Sequence, residues 1–145
     1  MRLSTKGRYA VMALVDLARE GASGPVTLAE IAARQAISLS YLEQLFARLR
    51  RKGLVQSARG PGGGYRLARP AAEVAIAEVV LAVDEPLKVT RCPAGSRGCM
   101  PGGEQCLTHH LWEELGRQIY GYLAGVTLAD VAAGRVRRTL PAEAA

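Results

Sequence analysis

Three cysteines and two histidines stand between residues 91 and 110, in RCPAGSRGCMPGGEQCLTHH, and the chain contains no others. Thiolate sulfur and imidazole nitrogen are donors for zinc and for iron–sulfur centres. The spacing Cys92-x6-Cys99-x6-Cys106-x2-His109 offers four ligands on a glycine-rich stretch able to wrap a metal. Cys106 and His109, three residues apart at the start of a predicted helix, can face the same side. His110 is a second imidazole that competes for the fourth position. Structural zinc commonly takes close C-x(2 to 4)-C pairs, and only one short ligand pair is present. Iron–sulfur clusters accept thiolates spread along a loop, so the pattern favours a cluster, with zinc and unmetallated thiols as the alternatives. An odd cysteine count argues against a disulfide framework. Nucleophilic catalysis by a Cys/His pair is disfavoured, since no third orienting group or pocket-forming segment is evident, and no enzyme is expected.

The elements that must carry this stretch sit in a chain of 145 residues, enough for one domain or one small domain with an attached element. No apolar run approaches the ~20 residues of a membrane-spanning helix, and the first residues lack the apolar core and cleavage site of a secretory signal. No membrane association and a cytoplasmic location are therefore expected. The net charge is +6, and its placement is uneven: residues 1–70 carry twelve Lys and Arg against four acids, while residues 71–145 sum to −2. A basic first half points to a polyanion such as nucleic acid.

Within that half, RYAVMALVDLAR (8–19) places Val11, Leu14, Val15 and Ala18 on one helical stripe, ended by Gly21 and Gly24. Thr27 and Glu30 have the spacing of a capping box at the start of a second helix, which runs to about Gln35. After a break at Ala36, Ile37 and Ser38, a third helix carries Leu42, Leu45, Phe46 and Leu49 on one stripe and ends at Gly53. Ser40 and Glu43 have capping-box spacing too. Two short helices joined by a tight turn form a helix-turn-helix, whose second helix enters the DNA major groove. Its solvent-facing N-terminal residues are Ser40, Tyr41, Glu43 and Gln44. Leu54–Ala58 and Gly64–Leu67 then flank the tip Arg59-Gly60-Pro61-Gly62-Gly63, a hairpin that makes the unit winged. Arg59 is suited to a narrow minor groove, and Gly60, Pro61 and Gly62 bring backbone close to phosphates. A phosphate-binding P-loop is discounted, because its Lys-Ser/Thr pair is missing.

A fourth helix is predicted over 74–84, with Val74, Ala77, Val80 and Leu81 inward and Asp84-Glu85-Pro86 ending it. From about Lys88 to Gln105 no apolar period remains, so core burial cannot order the segment. The longest helical pattern follows, with Leu107, Leu111, Leu115, Ile119, Leu123 and Val126 recurring beside Trp112, Tyr120 and Tyr122. Its apolar face needs a partner, and Gly116 and Gly121 permit close helix approach, which points to a homodimer on a near-palindromic operator, with packing of the helix back onto its own domain as the alternative. A short helix from Thr127 and Asp130 to Gly134 precedes a frayed tail.

The fold class expected is mainly α: a winged helix-turn-helix DNA-binding domain with a two-stranded wing (1–86), a cluster-binding loop (87–110), a long dimerisation helix with a short terminal helix (107–134) and a flexible tail (135–145). MRLSTKGRYAV, ISLSYLEQLFARLRRKGLV, RGPGGGY, AVDE and CLTH together resemble the iron–sulfur cluster regulators of the Rrf2 family of bacterial winged-helix transcription factors, over about residues 1–134. The resemblance implies a homodimeric repressor or activator of cluster-assembly genes, binding a double-stranded DNA operator and loaded by the cluster-assembly machinery. It implies a [2Fe-2S] cluster on Cys92, Cys99, Cys106 and His109. It implies DNA contacts from Ser40, Tyr41, Glu43, Gln44 and Arg59, with Glu43 tuning which operators are accepted. Both inter-cysteine spacings are longer here by one residue than in the family pattern. A winged regulator without a cluster, zinc-bound or sensing thiols or a small molecule, and a cluster carrier without a DNA role are the rival functions.

Overall fold

Helix α1 (Thr5–Glu20) packs against four helices and the wing, and its inward side is built from small residues for that reason. In the computed structural model, which describes residues 3–83, 87, 89–90 and 98–136, Gly7, Ala10, Ala13, Leu14 and Leu17 of this helix are buried. The predicted stripe is thus rotated. Of Val11, Leu14, Val15 and Ala18 only Leu14 is buried, and the others are half-covered at the edge. Two adjacent stripes of α1 are apolar, and packing selects the one whose alanines admit neighbours on several sides.

Helix α2 (Leu28–Gln35) begins on the predicted capping box: Thr27 Oγ1 accepts from Glu30 N, and the Glu30 carboxylate accepts from Thr27 N. Helix α3 (Leu39–Arg51) buries Leu42, Leu45, Phe46 and Leu49 as expected. Its cap is Ser38 rather than Ser40, with Ser38 Oγ accepting from Tyr41 N at 3.4 Å. Strands β1 (Val55–Ala58) and β2 (Gly64–Leu67) pair antiparallel, Val55 opposite Leu67 and Ala58 opposite Gly64. A single bridge from Val26 to Tyr65 ties this hairpin to the segment before α2.

Helix α4 (Ile76–Ala82) buries Ile76, Ala77, Val79, Val80 and Ala82. Val74 is buried just ahead of it, whereas Leu81 is 43% exposed and points outward, contrary to expectation. The predicted stop at Asp84–Pro86 lies outside the described residues. Helix α5 (His109–Ala124) starts two residues after Leu107, which is fully exposed instead of opening the helical stripe. Helix α6 (Leu128–Ala132) has the Thr127–Asp130 capping box. The sequence groups α6 with α5, but α6 packs on α1 and Leu128 is wholly buried in the core of the winged unit. Reciprocal backbone bonds, Ile76 N to Val126 O and Leu128 N to Val74 O, fasten it there. The predicted tail from residue 137 lies outside the described residues. No helix among the described residues is long and apolar enough to cross a membrane.

Asp16, a buried acid of the core, joins α1 to α2. Its side chain is 2% exposed, and Arg34 donates to both its oxygens at 3.0 and 2.8 Å while Gln35 donates a third bond at 2.8 Å. Burial pushes the Asp16 carboxyl up, but the Arg34 and Gln35 hydrogen bonds and the nearby arginine charges outweigh it, so its pKa falls below the ordinary 3.8. A depressed carboxyl contributes stability that is complete above the ordinary value and is lost as pH falls through the lowered one. Asp16→Asn is expected to cost about 1–2 kcal/mol at pH 7, because charge-assisted bonds become neutral ones to a partly solvated arginine. Urea titrations at pH 7 and in the acid limb check this, the difference between the proteins shrinking below pH 4.

Candidate functional site

The turn between α2 and α3 is made by Ala36, which adopts φ 53°, ψ 46°, the left-handed conformation usually given to glycine. That turn sets Ser40, Glu43 and Gln44 on the exposed side of the first turns of α3, with Tyr41 half-buried among them. The Ser38 and Ser40 hydroxyls lie 3.1 Å apart. Tyr41 meets the edge of Tyr9 from α1, ring centroids 5.8 Å apart. A depression of about 530 Å³ lies beside this face, lined by Thr5, Tyr9, Ser38, Ser40, Tyr41 and Gln44. Thr5 and Tyr9 therefore join the candidate reading surface. Their share in it was not legible in the sequence, because it arises only when α1 and α3 cross.

At the wing, Arg59, Gly60, Pro61 and Gly62 are all exposed at the tip. Gly60 and Gly62 have φ of 93° and 73°, so the tip geometry needs glycine there. A side chain on Gly63 would strike the Ala58 carbonyl, and one on Gly64 would strike Val26, which keeps the hairpin close against the body. Tyr65 packs edge-on against Phe46 of α3, centroids 4.9 Å apart, so wing and reading helix share a contact. Exposed Arg50, Arg51 and Lys52 extend the positive surface along the end of α3.

The cysteine-rich stretch meets the foot of α5. From Gly98 onward it is ordered by backbone bonds instead of core burial: Met100 N to Glu104 O and Gly103 N to Met100 O, both 2.9 Å. Gly98 is buried against the Glu104 carbonyl, where no side chain fits. Cys99, Cys106 and His109 line one cavity of about 690 Å³ together with Thr108 and Trp112. Cys99 Sγ and His109 Nδ1 are 3.2 Å apart. This is a hydrogen-bonding contact, and it leaves the two donors near the ~3.5 Å that co-ligands of one tetrahedral ion take. Cys106 precedes the helix rather than lying in it, its carbonyl accepting from His109 N at 3.0 Å. His110 is turned away, its side chain 80% exposed with Nδ1 3.6 Å from Glu113. Cys92 lies outside the described residues, and among the described ones no three His, Cys, Asp or Glu side chains form a metal-binding group by themselves. The donors on the cavity thus fit a thiolate–imidazole centre in chemistry and, for one pair, in spacing.

Helix α5 leaves Leu111, Trp112, Tyr120 and Tyr122 between 39% and 60% exposed. Gly116 is covered by the chain itself, near Leu87 and Val89, whereas nothing among the described residues lies against Gly121. A helix-turn-helix with an arginine-tipped wing defines a DNA-binding transcription regulator of the winged class. Residues 3–134 match the Rrf2 family, described as an iron-dependent transcriptional regulator, and the chain belongs to that family. It is 56% identical over 131 residues to the HTH-type transcriptional regulator IscR of Serratia proteamaculans, covering 90% of this chain and 79% of that one. The IscR of Klebsiella pneumoniae strain 342 is 55% identical over the same length and shares. Among solved structures it is similar to T. potens IscR (34% identical, TM-score 0.76, 99% of this chain and 94% of that one). It is also similar to CymR, the global cysteine regulator of B. subtilis (30%, TM-score 0.78, 92% and 98%). These relatives are regulators, not enzymes.

Ala36→Gly relieves the left-handed strain, at a smaller cost in unfolded-chain entropy, and is expected to stabilise the protein by about 1 kcal/mol. A urea midpoint that rises without a change in slope is the check.

Proposed function

We infer that this regulator senses iron–sulfur status: a [2Fe-2S] cluster on Cys92, Cys99, Cys106 and His109 alters how a homodimer binds the operators of cluster-assembly genes. The observation that carries the reading is the contact of Cys99 with His109 at the foot of α5, on a cavity that Cys106 also lines. The iron-dependent description of the family and the relatives named IscR support it. When bound, the cluster supplies a group whose presence and charge follow iron, sulfide and redox supply. The chain's own residues do the rest. Ser40, Glu43 and Gln44 offer hydroxyl, carboxylate and amide to base edges in the major groove, with Tyr41 braced behind them on Tyr9. Arg59 enters the minor groove, and the exposed Gly60-Pro61-Gly62 tip lets backbone approach phosphates. The exposed apolar residues of α5 give a second copy its seat, so that two wings address two half-sites. The regulator acts in the cytoplasm, where the assembly machinery is the cluster donor.

Anaerobic purification followed by a visible spectrum and iron, sulfide and zinc analysis tests this. About two irons and two sulfides per chain in a brown protein are expected. A colourless protein with zinc or no metal, even after reconstitution, overturns the cluster reading and leaves the winged regulator. Equal operator affinity of cluster-loaded and cluster-free protein overturns the sensing step alone. Arg59→Ala should weaken binding at narrow-groove operators and lower the slope of log affinity against log salt by about one. Unchanged binding across such operators removes Arg59 from the readout.

A further inference from the structure

Thr108 occupies the N-cap of α5 yet makes no capping bond through its side chain. A threonine at this position ordinarily turns its oxygen to a free backbone N–H of the first turn. Here the hydroxyl is engaged elsewhere. Trp112 Nε1 lies 3.2 Å from Thr108 Oγ1, and Thr108 Oγ1 lies 3.6 Å from Cys106 Sγ. The indole fixes the direction of the first bond, and a metal on Cys106 would fix that of the second, which either atom can donate in the free thiol. An indole N–H can only donate, so Oγ1 accepts from Trp112 and has its own hydrogen left to give. A metal-bound cysteine sulfur is a thiolate and can only accept. The relay therefore runs from Trp112 through Thr108 to Cys106, and all three residues line the cavity that holds Cys99 and His109.

We propose that Thr108, aligned by Trp112, is a positioning residue of the metal centre whose hydroxyl donates to the Cys106 sulfur and raises the centre's reduction potential. The proposal rests on the cluster reading above. Reduction adds one electron and breaks no bond; the added negative charge is shared by the ligating sulfurs. A donor aimed at one of those sulfurs stabilises the reduced form more than the oxidised form. The same residue accounts for the idle N-cap: the hydroxyl is oriented towards sulfur by the indole one turn along and is not available to the helix.

The test uses the full chain, loaded anaerobically, as wild type, Thr108→Val, Thr108→Ser and Trp112→Phe. Each is titrated with dithionite in the presence of mediators, the potential read from the visible spectrum, and thermal melting is recorded alongside. Thr108→Val is expected to lower the equilibrium constant for reduction about tenfold, ~59 mV for one electron, with melting unchanged because no helix cap is lost. Thr108→Ser should titrate with wild type. Trp112→Phe should shift the same way by less, since the hydroxyl stays but loses its alignment. A Thr108→Val protein that melts lower while its potential matches wild type shows a structural role only and overturns the proposal. So does a Thr108→Ser protein that behaves like Thr108→Val. If Thr108→Val holds no cluster, Trp112→Phe decides: a lowered potential supports the relay and an unchanged one refutes it. If wild type itself takes up no iron and sulfide, the cluster reading falls and takes this proposal with it; if wild type loads and all four proteins titrate together, only the proposal falls.

Discussion

The reading helix and the wing are both seated on α1, and α1 reaches its many neighbours because small residues make up much of its inner side. Gly7, Ala10 and Ala13 let other backbones come close, and Leu14 and Leu17 fill what remains. Interiors packed at crystal-like density leave no slack for a longer side chain at such a crossing. The apolar contact is not directional, however, and helices meeting on alanine could slide. Asp16 removes that freedom: its three hydrogen bonds from Arg34 and Gln35 pin the end of α2 to α1 at one register, just before the left-handed turn at Ala36. The angle at which α3 leaves the body follows from that pin and that turn.

The wing is fixed to the same frame by different means. Val26 and Tyr65 exchange two backbone bonds of 2.9 and 2.7 Å, and the Tyr65 ring rests on Phe46 in α3. Only glycine at position 64 allows the hairpin to lie this near Val26. The base of the wing that carries Arg59 and the reading helix that carries Gln44 are in this way joined by one set of packed contacts. Preorganisation of this kind matters for sequence reading, since contacts to two grooves made by separately mobile parts would each cost ordering entropy on binding.

Features fixed by neighbours in the chain are legible in the sequence alone: the Thr27–Glu30 box, the Leu42–Leu49 stripe of α3, and the glycine-tipped hairpin. Each depends on local spacing. Features decided by which elements meet are not. The two apolar stripes on α1 are equivalent by pattern, and only close packing on its alanines separates them, while Leu81 lies on the predicted inner stripe of α4 and is left 43% exposed among the described residues. The pattern of α6 announces a helix and gives no sign that Leu128 belongs to the core under α1. Ser38 and Ser40 compete for one cap, and the sharp turn at Ala36 decides between them. In the candidate centre, residue type singles out the cysteines and histidines, but the separation of His109 from His110 needs the helix start. The idle cap of Thr108 needs the ring of Trp112 in place.

The two candidate sites are not remote in bonding terms. Arg48, on the buried flank of α3, donates to the carbonyl of Val83 at 3.2 Å, and Val83 caps the C-terminal end of α4. The cysteine-rich stretch follows α4 in the chain, and α5, which carries His109, packs on α4 as well. Arg48 thus joins α4 to the reading helix by a charge-assisted hydrogen bond, of a kind worth about 1.5–3 kcal/mol. Coupling of about 1–3 kcal/mol changes affinity by roughly 5- to 150-fold. On the proposed reading, one such contact made in one arrangement and lost in another would have the size that sensing requires.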